Sequence, residues 1–334
     1  MTMAHNILVT IDLPLELQEK IHSAAGQNRV VYQLCRTAED YGAFADQDFE
    51  ILLSRYALPD RRVLPDLKWI QTFGAGVDHL TSHPLTRSGI LFTTASGIHA
   101  SCVSELVFAF ILHFQRSLSK IQLYKSLRKW PAPAELFDFF EHPELDGQSL
   151  IVVGLGAIGR RVARLGKAFG MRVQAIKRFP ESTPALRFGK NEYEVDEVHD
   201  LNALQEIVPQ ADYLVLCLPL TPDTRGLISR EILDGMKSSA ILINVGRGAL
   251  VDEKALVESL RRGGLAGAAL DVFALEPLSP DHPFYELENL IVSPHVGGAT
   301  RRYDSLVVDV FVENLGRYLN GQPLLNQVDW TAGY

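Results

Sequence analysis

Apolar positions fall in short runs along the chain, separated by longer mixed segments. In the first hundred residues the runs are Ile7-Leu8-Val9, Val30-Val31 with Tyr32 and Leu34, Ile51-Leu52-Leu53, Trp69-Ile70-Gln71-Thr72 and Ile90-Leu91-Phe92, and residues 13–25 read as a helix. Strands spaced by helix-length segments predict βα units and a parallel sheet. Within residues 102–114, Val103, Leu106, Val107, Phe110, Ile111 and Phe114 recur at helical spacing, and Phe108 and Leu112 make the other face apolar too. A helix apolar nearly all round must be buried, in a domain core or at a subunit interface. Residues 125–147 hold Pro131, Pro133 and Pro143 and read as an irregular excursion. A second series of strand candidates follows at 150–153, 173–176, 213–218, 241–245, 265–272 and 290–293, with a closing helix at 303–319. The pattern predicts two α/β units with boundaries near Gly97 and His295.

At the head of the second series, Leu150-Ile151-Val152-Val153 runs straight into Gly154-Leu155-Gly156-Ala157-Ile158-Gly159. Ile158, Val162, Leu165 and Phe169 then mark one helix face, and Gly170 is placed to end it. GxGxxG between a strand and a helix is a dinucleotide-binding turn. Gly154 permits the tight turn, Gly156 lets a pyrophosphate approach the backbone, and Gly159 lets helix and strand pack closely. The helix N-terminus then offers N–H groups to an anion. The end of the next strand selects the dinucleotide. An acidic residue there binds the ribose 2′-hydroxyl of NAD, whereas an Arg accommodates the 2′-phosphate of NADP. Here the sequence reads Lys177-Arg178, and no acidic residue follows until Glu181. NADP(H) is therefore the expected cofactor, with NAD(H) the alternative.

Composition narrows the classes. At 334 residues the chain is long enough for about two domains. Its 47% hydrophobic and 22% charged residues exclude disorder and collagen-like repeats. A net charge of -8 gives no bulk attraction to nucleic acid or anionic lipid. Cys35, Cys102 and Cys217 lie far apart without CxxC spacing, against a disulfide framework or a zinc ribbon, so no metal is expected and a reducing, cytoplasmic setting is. The longest apolar stretch, 106–112, falls far short of the roughly 18 residues a membrane helix needs. Residues 1–6 show no secretory signal.

Three strand-terminal stretches carry candidate chemistry. Asn244-Val245-Gly246-Arg247-Gly248 places an Arg between two glycines, where a guanidinium can grip a carboxylate in two places. Ala268 to Pro277 puts Asp271 inside an apolar run, where its charge needs a donor such as an amide or a nicotinamide carboxamide. Glu276 follows the same strand. Ser293-Pro294-His295-Val296-Gly297-Gly298 sets a His just past another. Open α/β sheets bind ligands at the carboxyl ends of their strands, so Arg247, Glu276 and His295 can converge on one crevice.

Together the turn at 154–159, the segments LPLTPDTRGLI (218–228), INVGRGALVDE (243–253), ALDVFALEPL (269–278) and SPHVGGAT (293–300), and Gly74-Ala75-Gly76-Val77-Asp78 resemble, in order and spacing, the D-isomer-specific 2-hydroxyacid dehydrogenase family. The resemblance spans nearly the whole chain. It implies two Rossmann-like parallel-sheet domains: a discontinuous, flavodoxin-like substrate domain at 1–98 and 297–334, and a dinucleotide-binding domain at 99–296. By motif, Arg247 would bind the substrate carboxylate and the reacting oxygen. His295 would be the acid/base, with Glu276 as its partner, and the N–H groups near Ala75, Gly76 and Val77 would hold the carboxylate. Cofactor contacts would come from Gly154, Gly156, Ala157, Ile158, Gly159, Lys177, Arg178, Leu218, Pro219, Thr224, Val245, Gly246, Arg247, Asp271, His295, Gly297 and Gly298. Related formate dehydrogenases place Gln where this chain has Glu276, which argues against formate. Many members carry Asp where this chain has Lys177; Lys177-Arg178 and residues 75–80 look closer to the NADPH-dependent glyoxylate/hydroxypyruvate reductases.

The resemblance thus implies reduction of a small 2-oxoacid to the D-2-hydroxyacid, with Glu276 favouring the imidazolium form of His295 because opposite charge stabilises the charged form. Two domains joined by two crossings suggest closure over substrate, and helix 102–114 suggests a homodimer. Tyr56, Leu58 and Phe137 are candidates for setting pocket size. Two rival readings stay open: an NAD-linked phosphoglycerate dehydrogenase, to which Arg55 and Arg61-Arg62 would lend phosphate affinity, and a non-catalytic dinucleotide-sensing binding protein.

Overall fold

A computed structural model describes residues 5–45, 47–136, 143–178, 187–188, 192–193 and 195–332. In chain order the elements are β1 (Asn6–Val9), α1 (Leu15–Ala25), β2 (Arg29–Tyr32), β3 (Ile51–Ser54), β4 (Trp69–Thr72), β5 (Leu91–Thr93), α2 (Ala100–Gln115), α3 (Leu118–Ser126) and α4 (Pro133–Leu136). Then come β6 (Ser149–Val153), α5 (Ala157–Ala168), β7 (Arg172–Ile176), β8 (Arg187–Phe188), β9 (Glu192–Tyr193), β10 (Glu197–His199), α6 (Leu204–Ile207) and β11 (Tyr213–Leu216). The last are α7 (Arg230–Gly235), β12 (Ile241–Asn244), α8 (Glu253–Arg261), β13 (Gly267–Leu270), β14 (Leu290–Val292) and α9 (Tyr303–Leu319). The chain divides into two compact units, residues 1–98 with 300–334 and residues 99–299.

The first unit is built on a parallel sheet in the order β2-β1-β3-β4-β5, the flavodoxin-like arrangement. β3 and β4 are buried at every residue, because a parallel sheet is covered on both faces. Alternation sends Ile7, Val9, Ile51, Leu53 and Trp69 to one face, where Ile21 of α1 and Val307, Val308, Phe311 and Leu315 of α9 cover them. Trp69 stacks on Phe311 and Tyr318 at centroid distances of 5.3 and 5.4 Å. Leu8, Leu52, Ile70 and Phe92 face the other way, against Tyr41, Phe49 and Leu64. The C-terminal helix thus completes the N-terminal sheet, and the unit is discontinuous in sequence. Its first helix starts at Leu15, two residues later than the pattern suggests, because Leu13 is drawn into the core and Pro14 serves as the cap.

The second unit carries seven parallel strands in the order β10-β7-β6-β11-β12-β13-β14, the doubly wound order with one strand added. Leu150, Val152, Val173, Val215 and Ile243 pack on one face with Val103, Val107, Phe110 and Ile111 of α2 and Val162 and Ala163 of α5. Ile151, Leu214, Leu216, Leu242 and Leu270 pack on the other with Ile232 and Leu233 of α7 and Leu256 and Leu260 of α8. The all-round apolarity of α2 is thus met within its own unit. Phe108, on its remaining apolar side, stacks on Phe169 at 5.3 Å. No subunit interface is needed to account for that helix. The following helix, α3, has no buried residue and ends where the segment expected to be irregular begins; within that segment, α4 forms one short helix.

The second crossing between units falls at 299/300, three residues beyond 296/297. Val296 and Gly297 donate their backbone N–H groups to Asp271, and an added Cβ on Gly298 would sit 3.1 Å from the His99 ring, so this stretch is held in the second unit. β10, absent from the apolar pattern, is an edge strand with one apolar residue and exists by backbone pairing with β7. The short antiparallel pair β8–β9 was likewise without a pattern. Among the described residues no helix is long and apolar enough to cross a membrane.

Candidate active site

The reversal of strand order lies between β6 and β11, and crevices form at such points beyond the carboxyl ends of the strands. Gly154 follows β6 at φ +103°, a backbone conformation that L side chains rarely adopt. A Cβ there would meet Leu218 N at 2.8 Å. A Cβ on Gly159 would lie 1.9 Å from Gly154 O, so only glycine lets α5 sit this close to the turn. Gly156 has nothing within 4 Å of an added Cβ and caps α5 with no side-chain hydrogen bond. An open helix N-terminus with Ala157 and Ile158 in its first turn fits a pyrophosphate. The residues present therefore suit the dinucleotide that the resemblance implies.

Across this turn, Leu218 is buried, and Thr224 closes the loop after β11: its hydroxyl accepts from Thr221 N (2.8 Å) and donates to Pro219 O (2.9 Å). The Thr224 hydroxyl is thus used in shaping the loop. Lys177 and Arg178 follow β7, with Lys177 N donating to His199 O (2.9 Å) and Arg178 Nη2 to Asp223 Oδ2 (2.9 Å). Glu181 lies outside the described residues.

The loops after β12, β13 and β14 meet at one end of the sheet. The buried Asn244 ties the first: its Oδ1 accepts from Gly246 N (3.0 Å) and its Nδ2 donates to Arg247 O (2.9 Å). Arg247 Nη1 donates to Gly246 O (2.8 Å). The glycines beside Arg247 are places of close approach, since a Cβ on Gly246 would meet Leu218 O at 2.8 Å and one on Gly248 would fall 1.8 Å from Phe273 C. Val245 is buried beneath them.

Phe273 N in turn donates to Glu276 Oε1 (2.9 Å), and Glu276 Oε2 lies 2.7 Å from His295 Nδ1. A carboxylate only accepts, so Nδ1 carries the hydrogen of that bond and Nε2 is left to exchange a proton. The imidazole is half exposed, with 53% of its side chain accessible. His295 itself has φ +55°, an uncommon conformation for a non-glycine residue. Asp271, only 3% exposed, holds its loop: Oδ1 accepts from Val296 N (3.0 Å) and the Ser293 hydroxyl, and Oδ2 accepts from Gly297 N (2.8 Å). The donors this buried carboxylate requires come from the strand-end loop beside it. Burial lowers the pKa of His99, against a hydrogen bond with the Gly298 backbone, and His295 pushes it down as well.

Arg247, Glu276 and His295 thus sit on three loops of one sheet edge, with Glu276 and His295 in direct contact. Asn244 and Ser293, which fasten those loops, were not singled out in the sequence; the available signal was a polar residue closing an otherwise apolar strand. In the first unit, Ala75, Gly76 and Val77 follow β4, and among the described residues none of their backbone N–H groups makes a backbone–backbone hydrogen bond. Arg55 follows β3 and lies over Phe73, Tyr56 and Tyr303 at 5.1, 5.6 and 5.7 Å. Arg61 donates to Leu67 O and Arg62 pairs with Asp60. Tyr56 is exposed and Leu58 buried; Phe137 lies outside the described residues.

A doubly wound sheet, a dinucleotide turn at its switch point and a His–Glu pair on the same edge define the class of nicotinamide-dependent dehydrogenases. Comparison with known proteins gives the family. Residues 108–297 match the model for the D-isomer specific 2-hydroxyacid dehydrogenase, NAD binding domain. A glyoxylate reductase from Aeropyrum pernix is 34% identical over 291 residues, covering 85% of this chain and 83% of that protein. The crystal structure of a D-isomer specific 2-hydroxyacid dehydrogenase family protein from Aeromonas salmonicida superposes with a TM-score of 0.79 at 30% identity, covering 98% of this chain and 100% of that one. The NADPH-dependent glyoxylate/hydroxypyruvate reductase from Sinorhizobium meliloti, in complex with NADP and sulfate, gives 0.77 at 26% identity over 99% and 100%. The chain belongs to the D-isomer-specific 2-hydroxyacid dehydrogenase family and is an NAD(P)-dependent oxidoreductase.

Proposed function

We propose that the enzyme reduces glyoxylate or hydroxypyruvate to the corresponding 2-hydroxyacid, with NADPH preferred over NADH. The observation that carries this is the Glu276–His295 contact at 2.7 Å, on the same sheet edge as Arg247. The unit of residues 99–299 binds the dinucleotide through Gly154, Gly156, Ala157, Ile158 and Gly159, and Lys177 and Arg178 read the 2′-phosphate. Val245, Gly246, Leu218 and Pro219 line the same crevice. Taken by itself, the unit of residues 1–98 and 300–334 offers the N–H groups of Ala75, Gly76 and Val77 as candidates for holding a carboxylate.

NADPH, when bound, supplies the hydride that reduces C2. Arg247 orients the 2-oxoacid by its carboxylate and balances the charge that develops on the carbonyl oxygen. His295 donates the proton from Nε2 to that oxygen, while Glu276 on Nδ1 fixes the tautomer and the ring orientation. Asp271 keeps the His295 loop in place through its three hydrogen bonds. Reduction consumes the protonated His295, so its rate falls at alkaline pH; oxidation, which needs the neutral imidazole, does the opposite.

The protein assembles as a homodimer through α3 and the chain after it rather than through α2. Leu118, Ile121, Leu123, Leu127 and Trp130 are all exposed there, Trp130 at 92%, and exposed apolar patches of this kind mark association surfaces. Three free cysteines suit a reducing, cytoplasmic setting. The deciding experiment is the initial rate of NADPH and NADH oxidation with each of the two oxoacids. Faster turnover with NADPH is expected. Turnover with neither cofactor on either acid sinks the proposal and favours the dinucleotide-sensing binding protein.

A further inference from the structure

The acidic residue that the end of β7 lacks is supplied from elsewhere in the fold. β7 and β11 both pair with β6, one on each side. The loops after them therefore flank the glycine turn, and the Arg178–Asp223 ion pair, 2.9 Å from Nη2 to Oδ2, joins the two loops. Neither end is loosely placed. Asp223 sits in a turn closed by the buried Thr221 and Thr224, with Thr224 N and Arg225 N both donating to Thr221 O (3.1 and 3.0 Å). Arg178 follows Lys177, whose backbone is bonded to β10.

We infer that Asp223 is a cofactor-discriminating residue: its carboxylate competes with a 2′-phosphate for Arg178 and accepts the 2′-hydroxyl of a ribose that lacks the phosphate. The inference rests on the assignment of Arg178 to the 2′-phosphate. The chemistry of the pair is two-faced. A guanidinium only donates and a carboxylate only accepts. A phosphate dianion is attracted to Arg178 and repelled by Asp223, whereas a hydroxyl can donate to Asp223. Exposed ion pairs are weak, and the two side chains are 39% and 63% exposed, so an arriving phosphate can take Arg178 from its partner. Asp223 thereby tempers the NADP(H) preference set by Lys177-Arg178 and keeps NAD(H) usable.

The test is direct binding of two adenosine fragments to the full-length protein by calorimetry, with adenosine 2′,5′-bisphosphate as the phosphate-bearing probe and 5′-AMP as the probe with a free hydroxyl. Wild type, Asp223→Asn, Asp223→Ala, Arg178→Ala and the double variant Arg178→Ala/Asp223→Asn are compared. Both Asp223 variants are expected to bind the bisphosphate about three- to fivefold more tightly, the scale of an exposed ion pair, and to bind 5′-AMP no better or more weakly. Arg178→Ala should lose affinity for the bisphosphate alone, and in its background the Asp223 change should have a smaller effect. If Arg178→Ala leaves the ratio of the two affinities unchanged, the 2′-phosphate assignment of Arg178 fails and this inference with it. If Arg178→Ala collapses the ratio while both Asp223 variants keep the wild-type value, the assignment stands and the role of Asp223 is overturned.

Discussion

Replacing Asp271 with Asn tests whether one buried carboxylate holds the loop that carries His295. Asp271 Oδ1 accepts from Val296 N and the Ser293 hydroxyl, and Oδ2 accepts from Gly297 N. Asn keeps the volume but presents one oxygen and one NH2. Whichever way the amide turns, its NH2 faces a backbone N–H, so at least one buried donor loses its acceptor. Hydrogen bonds to a charged group contribute about 1.5–3 kcal/mol each, and a buried unsatisfied donor costs about 1–3 kcal/mol. Loss of charge assistance at the remaining bonds adds to this, for a total of about 3–5 kcal/mol. For a unit of this size each kcal/mol lowers the melting temperature by about 2–4 °C, so a drop of about 10 °C is expected in differential scanning calorimetry. Because the loosened segment carries His295 at positive φ, kcat should fall along with stability, while substrate KM changes less. A variant that melts within about 2 °C of wild type and turns over at the wild-type rate would refute the view that Asp271 positions His295.

Further outcomes are expected. His295→Asn should lower kcat by about 10²–10⁴-fold with a much smaller loss of NADPH affinity in fluorescence titration, and Glu276→Gln should lower kcat because the imidazole loses the carboxylate that fixes its tautomer; full activity in either variant removes that residue from the mechanism. Gly159→Ala puts a Cβ 1.9 Å from Gly154 O, so NADPH affinity should fall about tenfold or more from the forced shift of α5, measured by the same titration. Leu127→Glu combined with Trp130→Glu should turn a dimer into a monomer in light scattering; a dimer that survives places the interface elsewhere. Burial pushes the Cys217 thiol up to about 12 and the Cys35 thiol up to about 11. A raised pKa leaves almost no thiolate at pH 8, so these two cysteines should resist Ellman's reagent in the folded protein and react once it is unfolded in guanidinium.

The core strands of both sheets were legible in the sequence, because a parallel strand buried on both faces is a continuous apolar run. Ile51-Leu52-Leu53 and Leu150 to Val153 needed no other clue. The glycine turn was legible for a steric reason: at Gly154 and Gly159 any Cβ would strike backbone. Arg247, Glu276 and His295 could be picked out because each follows such a strand. What the sequence lacked was the element whose formation depends on a neighbour. β10 pairs through its backbone and α3 presents its apolar residues outward, so neither shows a periodic pattern of burial. The place of α2 was equally out of reach. Its apolar faces announce burial, but only packing against the sheet and α5 shows that its own unit provides it. The same holds at the site. Asn244 and Ser293 are ordinary polar residues until the strand-end loops come together and turn them into the fasteners of Arg247 and His295, and Asp271 announces only that it needs donors, not which ones. Arg178 and Asp223 stand 45 residues apart, and only the crossing of β7 and β11 to opposite sides of β6 makes them a pair. Sequence periodicity records which side chains leave water, whereas hydrogen-bond partners between distant loops are set by the order of strands in the sheet.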